Sequence, residues 1–182
     1  MPDDLGARFL TESGRYLTDE YLPKVRAALI SLTDEDVWWR PNEASNSIGN
    51  LLLHLAGNIR QWIVAGVGAT ADTRDRAAEF AARGQLTKDA ALAALEQAVT
   101  EAVATLAAFP SSRLSDAVSI QGRDLVVFDA VYHVIEHFAM HTGQILWIAK
   151  ARSGADLGFY RDAGGLAVPQ WPGAKPMPSK EQ

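Results

Sequence analysis

The stretch Leu125–Leu146, LVVFDAVYHVIEHFAMHTGQIL, limits the possible folds more than any other part of the chain. It reads as one helix carrying His133, His137 and His141, each about a helical turn after the last. Residues four apart lie on one side of a helix, with Cβ atoms roughly 5–6 Å apart. Two such imidazoles can therefore reach one metal ion from a single rigid element. The chain has four histidines, and the fourth, His54, falls on another strongly apolar helical stretch. The expectation is that His54 and two of the three later histidines meet on a metal inside a helical bundle.

Composition narrows the chemistry. At 182 residues the chain suits one domain with a sizeable core. It contains no cysteine, so disulfides, thiolate catalysis and Cys-containing zinc sites are excluded. Any transition metal must then be held by imidazole and oxygen ligands. The net charge of -5, with Lys and Arg scattered, argues against a nucleic-acid partner bound through phosphates. The N-terminal MPDDLGARFL is acidic where a signal peptide needs positive charge, and no stretch has the ~18 uninterrupted apolar residues of a spanning helix. A cytoplasmic protein without a membrane partner is the expectation.

Four long helices are readable. Residues 7–32 carry apolar positions from Phe9 to Leu32 at spacings near three and four, with a bend or break expected near Tyr21 because Pro23 lacks an N–H. Thr33 and Asp36 then mark a short helical turn, and Trp38 and Trp39 read as wedges between helices. Asn46-Ser47 opens the second long helix, which runs to about Val67. Gly66–Gln85 is too long for a tight antiparallel turn and suits a crossover between parallel helices. Its Arg74, Asp75, Arg76 and Glu79 are expected in surface or loop-pinning ion pairs. Thr87 caps a third helix, Lys88–Phe109, that reads as scaffold. Ser119–Arg123 suits a small turn or strand pair, and Asp124 or Asp129 is expected to start the last helix, running to about Ala151. Residues 1–160 read as the domain and 161–182 as an extended Pro/Gly-rich tail, with Phe159, Tyr160 and Trp171 docking on the bundle and the last ten residues loose.

The second helix carries an unusual stripe. Asn50, His54, Asn58 and Gln61 follow one another at intervals of four, four and three beside the apolar face Ile48, Leu51, Leu52, Leu55, Ile59 and Ile63. A polar stripe usually faces solvent. This one holds amides and an imidazole but no Lys or Glu, which fits a wet, functional interior. Gln144, three residues beyond His141, extends a similar stripe on the last helix. Burying such groups without partners costs roughly 1–3 kcal/mol each. A metal removes that objection, because ligand imidazoles donate their other N–H to nearby acceptors. Asn50, Asn58, Gln61, Glu136 and Gln144 are the candidates for that surrounding layer. Three histidines leave coordination positions open, the arrangement of catalytic rather than structural zinc, able to activate water or a thiol. No residue is singled out as catalytic.

The segment HVIEHFAMHTGQI (His133–Ile145) resembles the signature of the DinB-like, or DinB/YfiT-like, superfamily of four-helix-bundle metalloproteins. NSIGNLLLHLAGNIRQW (Asn46–Trp62) and the DLGFY after the last helix are similar to one branch of it. The resemblance implies an all-α four-helix bundle with a long crossover between helices two and three. It implies a metal triad of His54, His137 and His141, with His133 one turn outside, facing a substrate or supporting the ligands. The ion it implies is a divalent transition metal, zinc or nickel. Some related members are transferases or isomerases that use a low-molecular-weight thiol such as mycothiol or bacillithiol with an electrophilic small molecule. A homodimer is implied in the same way. Three readings follow: a metal-dependent thiol S-transferase or hydrolase, a non-catalytic metal-binding protein of stress response, and an interaction bundle whose histidines only hydrogen-bond.

Overall fold

Every long element of the computed structural model, which describes residues 4–175, is helical. The first rod begins as α1 (Leu5–Arg15), widens into a π-helical segment (Tyr16–Tyr21) and continues as α2 (Leu22–Leu29). The expected break near Tyr21 is thus absorbed without leaving the helix, and the backbone stays right-handed helical at both junctions. Pro23 cannot donate to the Asp19 carbonyl four residues back. The Trp171 indole N–H donates to that carbonyl instead, at 3.0 Å.

A short α3 (Asp34–Trp38) follows, with the Thr33–Asp36 capping box in place. The second rod is α4 (Ile48–Ile59), opened by Ser47 with Asn50 as the reciprocal cap, and it ends in a second π-helical segment (Arg60–Val67). The crossover contains α5 (Arg76–Ala81), and the third rod is α6 (Lys88–Ala108). A two-stranded hairpin, β1 (Ala117–Ile120) with β2 (Arg123–Val126), turns through Gln121 and Gly122, both at positive φ. The last rod is α7 (Val127–Ser153). Neither Asp124 nor Asp129 starts it: Asp124 pairs with Ser119 inside the hairpin, and Val126 stands at the cap without a side-chain bond. Pairing in the hairpin supplies the entry geometry that a capping side chain would otherwise supply.

The four rods run up, down, down and up. The α6 start is tied to the end of the first rod, since Lys88 Nζ donates to the carbonyls of Leu29 and Leu32. The α4 start lies at that same end, where Gly49 packs on Trp38 and Trp38 Nε1 donates to Leu86 O. So α4 and α6 are parallel, as the length of the crossover requires. The end of α7 returns there through Arg152 and Asp36, 2.7 Å apart. One core runs between the rods, with Leu17, Leu29, Leu52, Leu55, Ile63, Leu95 and Phe138 shut away from solvent. Among the described residues, α6 alone is long and apolar enough by composition to cross a membrane. Here its Ala91, Leu95, Ala98, Val99, Ala102 and Leu106 form a buried stripe facing that core.

Beyond α7, the tail is less extended than its composition suggests. Strands β3 (Tyr160–Asp162) and β4 (Ala167–Pro169) pair, and Trp171 is buried beneath Lys24, whose ammonium sits 3.7 Å from the ring centroid. Gly173 passes close to the Asp19 backbone, where a side chain would collide. Of the ten residues expected to be loose, 176–182 lie outside the described residues, whereas Lys175 pairs with Glu12.

Gly49 offers a clean test of this packing. A Cβ there would lie 2.8 Å from three ring carbons of Trp38. Alanine is a better helix former by about 1 kcal/mol, but overpacking costs about 1–3 kcal/mol. Gly49→Ala is expected to lower stability in urea unfolding; a rise equal to the propensity gain would show that Trp38 is not held against α4.

Candidate metal centre

The polar stripe of α4 faces inward. Asn50, His54 and Asn58 are all buried, and Gln61 is half-buried at the start of the π-helical segment. The histidines of α7 meet it. His54 Nε2 lies 2.9 Å from His137 Nε2, and the ring of His141 stands perpendicular to His54 with centroids 5.1 Å apart. One ring nitrogen from each of His54, His137 and His141 falls within 4.8 Å of the others. Three donors from two helices are thus focused on one point. His133 lies one turn away, tilted against Trp62 with centroids 4.2 Å apart, and its Nε2 is 3.5 Å from Asn58 Nδ2.

The donor set fits a transition metal. The far nitrogen of His141, Nδ1, is 2.6 Å from Gln144 Oε1. An amide oxygen only accepts, so Nδ1 carries the proton and Nε2 keeps its lone pair. That Nε2 is buried and has no hydrogen-bond partner. Two imidazole nitrogens 2.9 Å apart also repel unless a proton or a cation lies between them. Imidazole nitrogens with oriented outer N–H groups suit zinc, nickel and their neighbours.

Burial depresses the basicity of these rings. His137 is pushed down to about 3, first by burial and then by the neighbouring imidazoles of His141, His54 and His133. Burial also lowers His141, against the opposing hydrogen bond from Gln144, and lowers His133. Rings held neutral at pH 7 are rings ready to ligate.

The crossover completes the centre. Glu79 is buried, and its Oε2 lies 3.0 Å from His54 Nδ1. Arg74 grips both oxygens of Glu79, at 2.7 and 2.8 Å, and donates to Gln61 Oε1. Burial alone raises the Glu79 carboxyl, but the bonds from Arg74 and His54 prevail and hold it below the ordinary carboxylate value. Asn50 Nδ2 ties the segment down by donating to the carbonyls of Glu79 and Ala82. Phe80 covers the His54 ring, with centroids 4.7 Å apart.

The residues named from sequence therefore divide. His54, His137 and His141 converge; Gln144 and Asn58 touch histidines; Asn50 and Gln61 act on the crossover rather than on an imidazole. Glu136 is exposed and has no hydrogen bond or ion pair among the described residues. Arg74 and Glu79 form an ion pair that pins the crossover, one of the two expected alternatives, but it is buried against a ligand candidate rather than at the surface. Their one signal was an Arg and a Glu five apart in a segment too long for its span.

The family described as "Protein of unknown function (DUF1572)" matches residues 4–159. The chain belongs to this family. No curated protein matches it. Among solved structures, the DUF1572 chain is similar to a DinB-like protein from Bacillus cereus ATCC 10987, whose crystal structure was determined at 2.01 Å resolution. The two share 18% identity and a TM-score of 0.59, over 81% of this chain and 93% of the other. The fold is DinB-like.

The depressed histidines set a pH dependence for the metal-free protein. The folded state keeps His137 neutral, whereas the unfolded state takes up a proton below about 6.5. Stability from this ring is therefore full above about 6.5 and is lost as pH falls towards about 3. Melting of chelated protein should already drop between about 6.5 and 5, before ordinary carboxylates titrate. His137→Gln should flatten that slope; an equal slope in the variant would contradict the assignment.

Proposed function

We propose that this protein holds a divalent transition metal on His54, His137 and His141 and keeps a coordination position open for a small molecule. The observation that carries the reading is the buried, unpartnered Nε2 of His141 beside the 2.9 Å approach of His54 and His137. When bound, the metal supplies Lewis acidity and lowers the pKa of a coordinated thiol or water. The protein supplies three imidazoles, the cover of Phe80 over one of them, and outer acceptors on Gln144 and Glu79.

We infer a metal-dependent S-transferase as the activity, using a low-molecular-weight thiol of the mycothiol or bacillithiol type and an electrophilic small molecule. A groove of about 530 Å³ runs between the 41–46 loop and α7, lined by Asn46, Leu51, Met140, Gln144 and Trp147; no histidine lines it, and Gln144, bonded to His141, is its link to the centre. The second reading is a non-catalytic metal-binding bundle of stress response. It is favoured by the engagement of Glu79 with Arg74, which leaves that carboxylate poorly placed to act as a general base. Zinc or nickel suits the all-nitrogen donor set in either case, and the implied homodimer stands as a proposal beside them.

Untagged protein should carry about one zinc or nickel per chain by elemental analysis. His137→Ala should abolish most of that content and His133→Ala little of it; equal losses would overturn the choice of ligands. Chelation should lower the melting temperature, since an ion bound only by the folded state adds stability. Turnover with a thiol and an electrophile panel then separates the two readings: sustained turnover supports the transferase, and a full metal complement without turnover supports the bundle.

A further inference from the structure

Two side chains compete for the same nitrogen of His54. Glu79 Oε2 and Arg74 Nη2 each lie 3.0 Å from Nδ1. A carboxylate only accepts hydrogen bonds and a guanidinium only donates them. The two partners therefore demand opposite tautomers. If Arg74 donates to Nδ1, the ring proton is on Nε2, where it points at His137 Nε2, 2.9 Å away. If Nδ1–H donates to Glu79, the lone pair of Nε2 points into the histidine cluster. Only the second tautomer can ligate through Nε2.

We propose that Glu79 is the positioning residue that selects the ligating tautomer of His54, and that Arg74 stabilises the other tautomer in the metal-free protein. On metal binding Nε2 gives its proton to solvent, Nδ1 takes one up, and the new N–H donates to Glu79. Arg74 keeps its bonds to both Glu79 oxygens throughout, so no charge is left unpaired. The crossover is thereby coupled to the ion, because Glu79 belongs to α5 and its carbonyl is gripped by Asn50 of α4. This inference rests on the metal reading above.

Gly57 gives the arrangement a second, independent mark. It sits inside α4, where alanine would favour the helix by about 1 kcal/mol. A Cβ there would overlap the Glu79 carboxylate, lying 2.9 Å from its Cδ and 3.0 Å from Arg74 Nε. The absent side chain is what lets Glu79 and Arg74 lie against His54.

The test is zinc affinity by competition with a chromophoric chelator, together with nitrogen NMR of the histidine rings. Glu79→Gln and Gly57→Ala should each weaken zinc binding roughly 10–100-fold, as loss of an outer partner does elsewhere. In the wild-type protein His54 should carry its proton on Nε2 without metal; Nε2-bound zinc must move it to Nδ1, so the metal-free spectrum tests the Arg74 assignment and the zinc affinity of Glu79→Gln tests the glutamate. The wild-type spectra need no variant, so a misfolded variant cannot hide the answer. Zinc binding by Glu79→Gln as tight as wild type, or an Nδ1–H on His54 with and without zinc, would overturn the tautomer role while leaving the metal site standing. A wild-type protein that binds no zinc or nickel would bring down both.

Discussion

Everything near the site follows from the burial of one polar stripe on α4. A helix face that buries Asn50, His54 and Asn58 must find partners for them, because unpaired polar groups in a core cost about 1–3 kcal/mol each. No single neighbour can satisfy all three. Asn50 is met by carbonyls of the crossover and His54 by Glu79 on one side and His137 on the other, while Asn58 meets His133 through its amide nitrogen alone and its Oδ1 stays unpartnered. The stripe thus dictates both which face α7 turns inward and where the crossover lies down. The apolar residues beside it fill the core, but they would tolerate many rotations of α4; the polar ones tolerate few.

The buried Arg74–Glu79 pair is best understood in that light. Removing two opposite charges from water is expensive, and their attraction alone seldom repays it. Here Arg74 also reaches Gln61, and the outer nitrogen of His54 has Arg74 and Glu79 as alternative partners. Such a network contributes registry rather than bulk stability, since a shift of the crossover by one residue would leave a charge stranded. The result is a short loop helix held at a fixed distance from an imidazole. A coordination site needs that of its outer layer, because the orientation of the ligand ring depends on it.

Much of the fold was legible because it depends on local rules. Ser47, Thr87 and the Thr33–Asp36 box cap the helices that their positions announced. The length of the crossover foretold parallel second and third helices, and spacing placed the histidines on one face. Other features were not local. The bend forced by Pro23 became a π-helical segment because the rod still had to pack along its whole length, and because Trp171 arrives from the far end of the chain to meet Asp19. The start of α7 was misplaced because strand pairing, a contact between segments, does the work that a capping aspartate does elsewhere.

The chain by itself determined the helices, their order, and an inventory of donors that excludes thiolates and confines metal binding to imidazole and oxygen. Those are consequences of periodicity, capping and composition, which act within a few residues. Tertiary structure alone decided that Glu136 stands in solvent while Glu79, from a segment with no marked pattern, reaches His54, and that Gly57 makes room for it. The reason is geometric: which carboxylate meets a buried ring depends on how two helices and a crossover are rotated and stacked, and no spacing along one helix encodes that.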